Sequence, residues 1–123
     1  MAVRPRKRDD FTRLRERIQS LARLSPGWDS YDAEAPSTVA VKIALTLVDE
    51  LERAGILPEW VTPTADSSIL MRYRKDDVWY DWEFHSDGDI AVMRKPLFDR
   101  ESYHDLTAGE VADFIARFHS ADE

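Results

Sequence analysis

Asp76, Asp77, Asp81, Glu83, Asp87 and Asp89 crowd one stretch of the chain, with His85 among them. Paired carboxylates are what general acid–base work requires, and carboxylate clusters also bind Ca²⁺ and Mg²⁺. No twelve-residue calcium loop is present, however. Asp81 and Glu83 are read more simply as cross-strand ion-pair partners of Arg72 and Arg74. The three histidines, His85, His104 and His119, fall in no HExxH motif and at no metal-ligand spacing. There is no G-x-S-x-G nucleophile elbow, no P-loop and no GxGxxG. Cysteine is absent, which excludes disulfides, thiolate metal sites and thiol chemistry. The pattern assigns no catalytic residue, no cofactor and no metal, and leaves a small enzyme with a carboxylate/histidine site as a third reading.

These groups need a scaffold. Phe11, Leu14, Ile18 and Leu21 recur at helical spacing and predict a helix from about Asp9 to Leu24, capped by Asp9 or Asp10 and stopped by Ser25-Pro26-Gly27. Residues 1–8 read as a flexible basic tail ahead of a single domain over 9–123. A second helix should start at Ser37, bury Ala40, Ile43, Ala44, Leu47 and Leu51, and end at Gly55 with Pro58 beyond. Four strands follow: Trp60–Thr62, Ser67–Arg74, Val78–His85 and Ile90–Lys95. The alternation of Val78, Tyr80, Trp82 and Phe84 is the clearest period-two signal. Ser86-Asp87-Gly88 and Lys75-Asp76 mark tight turns, so the sheet should be an antiparallel meander. Thr107 to Glu110 reads as a capping box opening a last helix with Val111, Phe114, Ile115 and Phe118 inward. The expected fold is α+β, in the order α-α-β-β-β-β-α, with helices mainly on one face of the sheet.

That arrangement defines a surface. The outer sheet face should show Leu70, Arg72, Arg74, Trp79, Asp81, Glu83, His85, Met93 and Lys95. A tryptophan among mixed charges is what interface hot spots look like. The competing expectation is that the segment from Leu97 to Tyr103 covers Trp79.

Charge is uneven along the chain. Residues 1–23 carry a net +5 and the rest −12, giving −7 overall. The basic side chains Arg13, Arg15 and Arg17 could contact phosphates. Against this stand an acidic body, no clear helix-turn-helix, no Asn and only Gln19 for amide readout of bases.

The loop Gly27-Trp28-Asp29-Ser30-Tyr31-Asp32-Ala33, a helix, and then Pro63-Thr64-Ala65-Asp66-Ser67-Ser68-Ile69 with its hairpin resemble a family of small uncharacterised bacterial and phage proteins. Those read GWDxYxA followed by PTxDGxI. The resemblance covers about residues 25–92 and departs at Ser67, where the pattern has glycine. It implies kinship and no activity. In the loop, Trp28 and Tyr31 are candidates for partner or nucleic-acid binding. The alternative is that both pack between helices and sheet with their polar atoms bonded to backbone, while Asp29 caps a turn.

The length of 123 residues and the 43% hydrophobic, 33% charged composition fit one globular domain with its own core. No apolar run approaches the roughly 20 residues of a membrane span, and no signal peptide is recognisable, so a cytoplasmic setting is expected. The reading that remains is a non-catalytic protein-binding module. It would regulate or neutralise a macromolecular partner in the manner of an antitoxin, immunity protein or inhibitor. The partner surface is Trp79, Arg72, Arg74, Asp81, Glu83 and His85. A nucleic-acid-associated regulator using the basic first helix is the alternative.

Overall fold

A computed structural model of the chain describes residues 4–29 and 33–119. Three α-helices and a five-stranded antiparallel sheet form one α+β domain. Helix α1 spans Arg4–Leu21, beginning about a turn before the expected start and ending before Leu24. Asp9 and Asp10 therefore lie inside the helix, and Asp10 pairs with Arg13 at 3.3 Å instead of capping. Phe11, Ile18 and Leu21 are buried, as their spacing requires.

Helix α2 spans Thr38–Ala54. The Ser37 hydroxyl accepts the Ala40 N–H at 3.0 Å and donates to the Ser86 carbonyl at 3.0 Å, tying the helix start to a hairpin turn. Gly55 takes the left-handed conformation at φ 77° that ends the helix, and the Ile56 N–H returns to Leu51 at 2.9 Å.

Strands β1 (Trp60–Pro63), β2 (Ile69–Lys75), β3 (Val78–Phe84), β4 (Ile90–Pro96) and β5 (Ser102–Leu106) pair in chain order. In the β2–β3 register, Met71 faces Trp82 and Tyr73 faces Tyr80, and all four are buried. Trp82 is fully buried while Trp79 is not, so the alternation of β3 points as expected. Four expected strands become five. The missing one is Ser-Tyr-His-Asp-Leu, which presents Ser102 and His104 as well as Leu106 to the helix side. An edge strand with so little apolar alternation carries no readable period. The segment beginning at Leu97 leaves Trp79 part-exposed. It forms the tip of the β4–β5 hairpin, with Leu97 57% and Phe98 87% exposed.

A short 3₁₀ turn, Ala108–Glu110, leads into α3 (Val111–Phe118). The Glu110 carboxylate accepts both the Thr107 N–H at 2.8 Å and the Thr107 hydroxyl at 3.2 Å. The helices share the inner side with Leu47, Leu51, Tyr80, Phe84 and Phe114, and Phe118 packs half-buried at the margin. Among the described residues, no helix is long and apolar enough to cross a membrane.

Candidate functional site

The pleat sends alternate residues of every strand to the side away from the helices. The register then aligns them in rows. Trp60, Arg72, Asp81, Met93 and Tyr103 form one row across all five strands. Thr62, Leu70, Glu83, Ala91 and Asp105 form the next, and Arg74, Trp79 and Lys95 flank the first on its other side. Most of these residues are half-exposed or exposed. Trp60 is 42% and Tyr103 63% accessible.

Arg72 is the centre of this face. Its guanidinium lies 5.6 Å from the Trp60 ring centroid and 5.4 Å from that of Trp79. Arg74 adds a third cation–π contact, to Trp79 at 5.8 Å. The Arg72 guanidinium donates two hydrogen bonds to the Asp81 carboxylate, at 2.6 and 2.9 Å. Lys95 donates a third to Asp81, at 2.7 Å. Arg72 foremost, and then Lys95, hold the Asp81 carboxyl below the usual carboxylate range against the opposing effect of partial burial. Asp81 in turn raises the guanidinium further above its ordinary value. The result is a preorganised surface: two indoles fixed on either side of one cation whose charge and geometry are already satisfied. Beside it, Leu70, Asp81, Glu83, Ala91, Met93 and Tyr103 line a depression of about 100 Å³.

Glu83 and His85 stand apart from that stack. They lie at the far end of β3 with Asp66 from the β1–β2 turn, and ligand atoms of the three lie within 4.8 Å of one another. His85 Nδ1 is 3.8 Å from the Glu83 carboxylate. The Thr64 hydroxyl accepts the Ser68 N–H at 3.1 Å and donates to the Asp66 carboxylate. That bond foremost lowers the Asp66 carboxyl below its ordinary value. His85 also lines an adjoining cleft of about 370 Å³ with Asp89 and Asp105.

The expected partner residues therefore divide. Arg72, Arg74, Trp79 and Asp81 come together, whereas Glu83 and His85 join Asp66. The Arg74 guanidinium bonds the Asp76 carbonyl at 2.9 Å and Asp77 at 3.4 Å, not the two carboxylates expected opposite it. Trp60, Asp66 and Tyr103 are additions. A four-residue strand cannot reveal its own register, a turn aspartate has no periodicity, and Tyr103 lies on the strand that the sequence hides.

On α1, Arg15 bonds Asp49 at 2.8 Å and Glu52 at 2.6 Å, so it clamps α1 to α2. Arg13 and Arg17 are exposed. Trp28 is half-buried, with its indole N–H donating to the Glu34 carbonyl at 2.8 Å, and Asp29 accepts the Ala33 N–H at 3.4 Å. These two bonds to backbone are of the kind the packed-loop alternative expects, while Tyr31 lies outside the described residues. Compared with known proteins, the chain matches no family model, no curated protein and no solved structure.

Proposed function

We propose that this chain is a non-catalytic protein-binding module whose partner docks on the outer sheet face. In this reading it regulates or neutralises that partner, as antitoxins, immunity proteins and inhibitors do. The observation that carries the proposal is the Trp60–Arg72–Trp79 stack on a face left open by the helices. Tryptophan and arginine are enriched in interface hot spots; tryptophan brings a large rigid contact area, whereas arginine has much conformational freedom to lose. Here that freedom is already restricted before any partner arrives, because Asp81 and the two rings hold Arg72. Asp81, Lys95 and Arg74 supply a polar surround that sets orientation.

The test compares two tryptophans on one strand. The full chain is used to capture its partner from the organism that encodes it, and binding is then measured by calorimetry with the purified pair. Trp79→Ala should weaken binding by at least about 2 kcal/mol, roughly 30-fold, with the fold intact. Trp82→Ala should instead destabilise the domain by about 3–5 kcal/mol. Wild-type affinity in Trp79→Ala, or melting of Trp79→Ala as severe as that of Trp82→Ala, rejects the sheet face.

A further inference from the structure

Asp66, Glu83 and His85 bring three potential metal ligands together at one end of the sheet. Two carboxylates converge, and among the described residues no lysine or arginine pairs with either; the ion-pair partner of Glu83 is His85 itself, at 3.8 Å. Elsewhere on the same sheet face the equivalent burden is met, since Asp81 has both Arg72 and Lys95. Like charges held close together favour uptake of a cation.

The donor set says which kind. Two carboxylate oxygens and one imidazole nitrogen suit Zn²⁺, Mn²⁺ or Fe²⁺ better than Ca²⁺ or Mg²⁺, which prefer oxygen alone. Two donors each about 2.0–2.2 Å from one ion lie roughly 3.3–3.6 Å apart at a tetrahedral angle, a separation that side-chain rotation of about an ångström reaches from 4.8 Å. Ligand atoms already within 4.8 Å of one another are thus close to ligating distance. Two elements supply them, the β1–β2 turn and the end of β3. The turn residue is held: Thr64, itself bonded by the Ser68 N–H, donates to the Asp66 carboxylate. A hydroxyl on a ligating carboxylate orients it. The adjoining cleft, where His85 meets Asp89 and Asp105, gives a cation an acidic route of entry.

We infer that Asp66, Glu83 and His85 bind one divalent transition-metal ion, through two carboxylates and the imidazole, with the remaining coordination positions left to water. Thr64 is a positioning residue for Asp66. This inference is independent of the protein-docking reading.

The test uses the full chain after treatment with a chelator. Calorimetric titration with Zn²⁺ should show one saturable site. Mn²⁺ should broaden the amide signals of residues around Asp66, Glu83 and His85 before others. His85→Ala and Asp66→Asn should each weaken Zn²⁺ binding at least about tenfold, Thr64→Val less, and His104→Ala not at all. Asp66 is exposed and His85 half-exposed, so both variants should keep the wild-type melting temperature without metal. The inference is overturned by absence of saturable binding at millimolar Zn²⁺, by unchanged binding in His85→Ala, or by Mn²⁺ broadening centred elsewhere.

Discussion

Protonation of His119 should set the acid limit of this fold. The residue is 1% exposed at the end of α3. Its Nε2 lies 2.7 Å from the Tyr73 hydroxyl, which also accepts the Trp82 indole N–H at 2.8 Å. A tyrosine hydroxyl has one proton, and Trp82 only donates. With the Tyr73 proton directed to Nε2, neutral His119 carries its own proton on Nδ1. That nitrogen approaches the Phe118 backbone without a hydrogen bond of normal geometry. Burial pushes the His119 pKa from 6.5 down to about 4, opposed by the Phe118 backbone and assisted by Lys75 and Arg94. The sign follows. Between pH 6.5 and 4 the unfolded chain takes up a proton that the folded chain refuses, so stability is full above 6.5 and falls as the pH drops. A gap of about 2.5 units corresponds to about 3 kcal/mol by linkage. Urea unfolding between pH 7.5 and 4.5 should show most of this loss, and His119→Gln should flatten the slope. His104, also lowered, by burial first and then by Arg94 and Arg117, adds to the same window. NMR titration of each imidazole separates the two. A His119 midpoint near 6.5, a proton on Nε2 at neutral pH, or an unchanged slope in His119→Gln would refute the reasoning.

Other outcomes follow from single residues. Ser67 holds φ 69° in the β1–β2 turn, a conformation that costs a side-chain-bearing residue about 1–2 kcal/mol, so Ser67→Gly should raise unfolding stability by about 0.5–1 kcal/mol. A loss of stability on that change would show that the hydroxyl matters more than the backbone. Thr107→Ala removes one of two bonds to Glu110 and should cost about 1 kcal/mol, read as a lower melting midpoint. On α1, gel shifts at low salt should detect no binding to DNA or RNA. A shift that falls steeply with salt and is abolished by Arg13→Glu with Arg17→Glu would favour the nucleic-acid alternative.

The parts legible in the sequence are those with strong periodicity or local chemistry. The alternation of Tyr80, Trp82 and Phe84 identified the buried side of β3, and through it the face on which Trp79 lies. Ser37 and Gly55 marked α2 because caps act within a few residues. What depends on register between distant segments was hidden. Nothing local brings Trp60 beside Arg72, or Asp66 beside His85. Arg15 belongs to a basic run in sequence, yet two acidic residues of α2 make it a clamp. The left-handed φ at Ser67 occurs where the resembled pattern carries glycine, a conformational demand that the residue type alone conceals.

The strict chain-order pairing of β1 to β5 also bears on how the molecule assembles. Every sheet contact is between consecutive strands, so contact order is low for a sheet protein and each closure spans a short loop. The pairing can propagate hairpin by hairpin, at rates nearer those of mixed α/β domains than of barrels and sandwiches. The long closure is the docking of α3 against α2, across the whole sheet sequence. His119 sits at that joint, beside Tyr73 and Tyr80. Substitutions there should accelerate unfolding while leaving the refolding rate nearly unchanged, whereas substitutions in the β2–β3 hairpin should slow refolding.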